Sequence, residues 1–155
     1  MIQPSILNSL LPRAVAWASS LEQRALSDAQ GLQLTPRQQD LARRAGVSNH
    51  ERVRILPVPE IPLPEEPGLR EAARMFGVIT PGTVGLTLGH AILIREECLA
   101  DPMLIAHELK HVAQYEQQGS MSAFLGRYLS EFNLYGYLDA PMEVEARAFA
   151  ESCDL

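Results

Sequence analysis

The segment from Asp101 to Gly119 constrains this chain more than any other. Asp101 followed by Pro102 reads as a helix N-cap with proline at the first helical position, and Gly119 reads as the stop after the last turn. Between them, Met103, Leu104, Ile105, Ala106, Leu109, Val112 and Ala113 leave the predicted helix apolar on most sides, which marks it as central. Its middle nevertheless reads His107-Glu108-Leu109-Lys110-His111. A buried polar group left unpaired costs roughly 1–3 kcal/mol. A fold built around this helix therefore has to supply that turn with partners.

His107 and His111 lie four residues apart, so their imidazoles share one helix face and can meet at one metal ion. Glu108 stands beside the first histidine, where a carboxylate can act on a water as general base without being a ligand itself. This is the chemical content of H-E-x-x-H: two neutral nitrogen donors suited to zinc and one carboxylate base. A catalytic zinc needs a third protein ligand, and Asp139, Glu143 and Glu145 follow downstream. His90 is the rival upstream, and His50 is the remaining histidine. Glu143 and Glu145 are two apart on a helix, about 200° around it, so both cannot face one ion. Spacing alone does not choose between them. Gln114 lies about one turn beyond His111 on the same face and can orient a ligand or a water.

The rest of the chain reads as a single α+β domain. Its 155 residues suffice for a core without staples. Residues 1–31 hold an N-terminal helix over about 5–30, ending at Gly31. Residues 32–83 hold a helix from Thr35-Pro36 to about Ala45, a strand at Val53–Leu56, a connector with Pro57, Pro59, Pro62, Pro64 and Pro67, and a short helix at Leu69–Phe76. Residues 84–155 form the metal-binding core. There Val84–Leu88 and Ala91–Arg95 flank Gly89-His90 as a hairpin, and helices follow over 102–118, 122 to about 136, and Pro141 to about Cys153. A net charge of −6 argues against nucleic acid or an anionic membrane as partner. The N-terminal apolar stretch is interrupted by Pro4, Pro12 and Arg13, and so predicts neither a signal peptide nor a membrane span. Cys98 and Cys153 are too few for a disulfide framework and read as free thiols, which makes a cytoplasmic protein the default.

The run HELKHVAQYEQQG…FLGRYL…APMEVEARAFA resembles small bacterial gluzincin-like domains, the minimal relatives of larger zinc peptidases. The likeness covers residues 84–151, with a weaker one through Leu34–Val58. It implies a zincin-like fold, a bound zinc ion and hydrolysis of peptide bonds, with Glu108 as general base. Matching EVEAR to the family's E-x-E-A-(D/N) pattern implies Glu143 as third ligand. Arg147 departs from that pattern, because many relatives carry there an acid or amide that steadies a histidine ligand; the role then passes to Glu145 or Asp139, or is absent. The resemblance further implies a peptide substrate lying along the outer strand of the 84–95 hairpin, and an oxyanion donor among Tyr128, Tyr135, Tyr137 and His90. Two other readings share this sequence. One is a zinc-binding accessory or interaction module with little proteolysis. The other is a self-inhibited enzyme whose first helix or proline connector covers the cleft.

Overall fold

In a computed structural model describing residues 1–155, local chemistry sets most helix ends. Helix α1 spans Pro4–Ser27 and α2 spans Pro36–Ala45. Thr35 and Gln38 exchange side-chain and backbone hydrogen bonds at the start of α2, a capping box, and Gly46 closes it at φ 100°. Helices α3 (Pro67–Met75), α4 (Pro102–Gln118), α5 (Met121–Asp139) and α6 (Pro141–Ser152) follow. The Asp101 carboxylate accepts the N–H groups of Met103 and Leu104, and Gly119 ends α4 in the left-handed region at φ 86°. The expected α+β class is what the chain adopts.

Four strands, β1 (Leu32–Gln33), β2 (Arg54–Val58), β3 (Gly85–Leu88) and β4 (Ala91–Arg95), make a mixed sheet in the order β1-β2-β4-β3. The β3–β4 hairpin turns at Gly89-His90 as the sequence predicts. The parallel pairing of β2 with β4, Ile55 opposite Ile92, was not readable from either strand alone. Nor was β1. Pro57 belongs to β2, not to the connector, and the reason is positional. β1 pairs only with Arg54 and Ile55, so no neighbour needs a donor from residue 57 on that side. Helix α1 also stops earlier than its apolar spacing predicts. The Asp28 side chain accepts the Gln30 N–H at 2.8 Å, and this turn replaces the last helical turn before Gly31.

The sheet separates two apolar clusters. Val53, Ile55, Ile92 and Ile94 pack with α2 and α4. Leu88, Ala91 and Leu93 pack with Ala18, Leu21 and Ala25 of α1 and with Met121, Phe124 and Met142. Alternation along β3 follows from this. Leu86 and Leu88 join the α1 side, which leaves Gly85 and Thr87 facing α4. No helix is long and apolar enough to cross a membrane.

Candidate metal centre

Helix α4 is amphipathic in an unusual sense, because its buried side includes Glu108, His111 and Gln114. Their partners come from α5, α6 and β3. The Nε2 atoms of His107 and His111 stand 3.1 Å apart. Glu143, buried on the first turn of α6, reaches both: its Oε2 lies 3.0 Å from His107 Nε2 and its Oε1 lies 3.3 Å from His111 Nε2. One ligand atom from each of these residues falls within 4.8 Å of the others. A tetrahedral zinc with donors about 2.0–2.2 Å away holds neighbouring donors roughly 3.3–3.6 Å apart. The pairwise approaches lie within a few tenths of an ångström of that, the two histidines meeting different oxygens of Glu143, so the donor set suits the ion in type and in approximate separation.

The electrostatics follow from burial and proximity. Burial opposes charge on Glu143, but hydrogen bonds from His107 and His111 overcome it and hold the carboxyl far below the ordinary carboxylate range. Burial likewise lowers the pKa of His111. The bond to Glu143, the charge of Glu108 and the Gln114 contact outweigh that and raise it to about 8. Without a metal, this corner is held together by shared protons.

Two further residues steady the ligands. Gln114 Oε1 accepts from His111 Nδ1 at 2.7 Å, while its Nε2 donates to the Met142 carbonyl at 3.0 Å. Tyr128 donates its hydroxyl to Glu143 Oε1 at 2.9 Å. Burial, then the charge of Glu143, pushes the Tyr128 phenol well above its usual pKa, so it stays a donor. Tyr128, expected among the oxyanion donors, is therefore committed to the carboxylate. His90 is also committed elsewhere. Its Nε2 lies 2.9 Å from Glu116 Oε2, and Glu116 further accepts the N–H groups of Ser48 and Asn49. His50 opens a single turn at His50–Arg52 and joins neither group.

Of the three downstream carboxylates, Glu143 alone joins the histidines. Glu145 is half exposed and turns to Gln114 and Lys110, and Asp139 lies exposed at the end of α5. Arg147 points away from the histidines, donating to the Leu138 carbonyl and lying 5.8 Å from the Tyr137 ring. No acid or amide bonds His107 Nδ1; the amide behind a histidine ligand is Gln114, on His111, and Glu145 reaches the site only through that amide, while Asp139 does not reach it.

Glu108 is buried yet stands outside the donor cluster, against β3. Its Oε2 accepts the Thr87 hydroxyl at 2.6 Å. A Cβ built on Gly85 would lie 2.7 Å from Glu108 Oε1. Sequence reading missed both residues. The one signal for them was alternation, since residues 85 and 87 share a strand face once Leu86 and Leu88 are assigned to the core. Tyr135 and Tyr137 are exposed on either side of the break at Gly136, where φ is 74°. Tyr137 feels the site: partial burial, then the charges of Glu143 and Glu108, raise its pKa. Cys98 and Cys153 are free and half-buried against the α2–α4 core.

No family model, no curated protein and no solved structure matches this chain.

Proposed function

We propose that this protein is a zinc-dependent metallopeptidase of the gluzincin type, hydrolysing peptide bonds. One observation carries the reading. Two imidazole nitrogens and one carboxylate converge within 4.8 Å of one another while Glu108, one residue from the first histidine, stays free of the cluster. Purely structural zinc sites close with four protein ligands, whereas three leave a position open. Bound there, zinc would supply a Lewis acid and an acidified water.

The chain's own residues would divide the remaining work. Thr87 holds Glu108 Oε2, so Oε1 is the atom free to take a proton from the attacking water and pass it to the leaving amine. Tyr128 and Gln114 fix Glu143 and His111 against rotation. Of the expected oxyanion donors, Tyr137 carries no bond to a carboxylate and would be the phenol offered to a developing oxyanion. β3 is an edge strand of the sheet and Gly85 and Thr87 of that strand touch Glu108, so an extended peptide paired to it would run past the base.

The commitments of Tyr128 to Glu143 and of His90 to Glu116 favour a second reading, a zinc-binding accessory module with little turnover, because only an exposed tyrosine is left for the oxyanion. Glu108→Gln separates the two. On the peptidase reading it retains stoichiometric zinc by elemental analysis and loses cleavage of a fluorescent casein substrate. Equal cleavage by variant and parent removes the peptidase reading. A parent that carries no zinc removes both.

A further inference from the structure

Arg147 lies one helical turn beyond Glu143 on α6, so both side chains leave that helix on the same side. Its guanidinium is unusually placed. No carboxylate comes within ion-pairing distance of it, and Nη1 is buried without a hydrogen-bond partner. Burying a charged donor unpaired is costly, so an arginine kept there calls for a reason other than stability.

The guanidinium touches one short segment. Nη2 donates to the Leu138 carbonyl, and the guanidinium carbon lies 5.8 Å from the centre of the Tyr137 ring. Both residues follow directly on Gly136, whose φ of 74° and ψ of 174° are open essentially to glycine alone. Helix α5 breaks there, and the Ala140 N–H returns to the Gly136 carbonyl at 3.0 Å. The break sets the direction in which the chain continues, and Arg147 holds the two residues that follow. Phe132 packs on the same Tyr137 ring, with centroids 6.5 Å apart. Partial burial, then the charges of Glu143 and Glu108, raise the Tyr137 pKa, and Arg147 acts against all three.

We propose, building on the peptidase reading, that Arg147 is a positioning residue for Tyr137: anchored on the Leu138 carbonyl, its guanidinium fixes the ring and keeps the phenol a strong donor to a developing oxyanion. Gly136 supplies the turn and Arg147 the restraint. A donor fixed in advance needs no reorganisation as negative charge develops, and positive charge beside a phenol strengthens the hydrogen bond it gives. Arg147 therefore serves the oxyanion side of the site and not the metal ligands.

A double-mutant cycle on the full chain, with fluorescent casein as substrate, tests this. Tyr137→Phe should lower kcat about 100-fold and Arg147→Met about tenfold, with KM and bound zinc little changed in either. The double variant should be no slower than Tyr137→Phe alone, because Arg147 acts only through that phenol. Arg147→Lys, which keeps the charge, should recover part of the loss. A second measurement is independent of turnover. In zinc-free protein labelled at tyrosine Cζ, the Tyr137 carbon signal is assigned by its absence from Tyr137→Phe. That signal should titrate at higher pH in Arg147→Met than in the parent. Should Arg147→Met lose its helical circular dichroism, Arg147→Gln takes its place. Losses that add in the double variant, or an unmoved Tyr137 titration, would overturn the proposal while leaving an active, zinc-bound parent as a peptidase. A parent that cleaves nothing removes the peptidase reading and the proposal with it.

Discussion

The Oε1 atom of Gln114 accepts the Nδ1–H of His111 at 2.7 Å beneath the metal centre. The direction of that bond is fixed from the far side. Gln114 Nε2 donates to the Met142 carbonyl, which can only accept, so the amide cannot flip without leaving two buried groups unpaired. His111 therefore keeps its Nδ1 proton and turns Nε2 to Glu143 and His107. Gln114→Leu should lower zinc affinity about 10–100-fold. Glu145→Gln, a change at an exposed residue, should leave it within about threefold. Competition with a chromophoric chelator measures both. Equal affinities in the two variants would show that Gln114 does not set the tautomer.

The same proton economy makes the metal-free protein sensitive to pH in both directions. His111 titrates near 8 in the folded chain against an ordinary 6.5, so its contribution to stability is complete below 6.5 and lost as pH rises to about 8. Glu143 is held below its ordinary 4.5, so its contribution is present above that value and lost on acidification. Melting of zinc-free protein should therefore peak between about pH 5 and 6.5. Zinc has to displace the His111 proton, so apparent affinity should climb about tenfold per pH unit up to about 8. Thermal melts and zinc titrations across pH 4–9 check this, and a flat profile in both refutes it.

Gly85 and Thr87 hold Glu108 from one strand. Gly85→Ala would drive a methyl group to 2.7 Å from Glu108 Oε1, and Thr87→Val would remove the hydroxyl on Oε2. Each should lower kcat about 10- to 100-fold while KM and bound zinc change little, because both act on the base and not on the ligands. Thr87→Ser keeps the hydroxyl and should recover most of the rate. Steady-state kinetics with zinc analysis on each variant provides the measurement. Loss of zinc in Thr87→Val would instead make that residue a support of the metal site.

His90 and Glu116 tie the hairpin turn to α4 and to the Ser48–Asn49 loop. His90→Ala leaves the Glu116 carboxylate with backbone donors only, in a pocket where its side chain is 13% exposed. A loss of about 1–3 kcal/mol is expected, with zinc retained because His90 is not among the converging donors. Urea unfolding read beside zinc content distinguishes this from a ligand role, in which zinc would fall with stability.

The helices, the hairpin and the pairing of the two histidines on one face were legible from the chain alone. Those depend on short-range rules: Asp101-Pro102 and Gly119 bound α4, Thr35-Pro36 opens α2, and residues 107 and 111 share a face because a helix repeats every 3.6 residues. Spacing also dictated that Glu143 and Glu145 face apart. It did not say which one turns inward, and a family pattern was needed to name Glu143. Whatever couples residues across long stretches of chain depended instead on packing. The parallel β2–β4 pairing makes β3 an edge and turns Gly85 and Thr87 toward Glu108. The packing of α5 and α6 on α4 puts Glu143 and Tyr128 beside the histidines and sends Arg147 and Glu145 elsewhere. The physical reason is the same in each case. Local hydrogen bonds fix an element's direction, but which of its faces is buried depends on partners that the element itself does not contain.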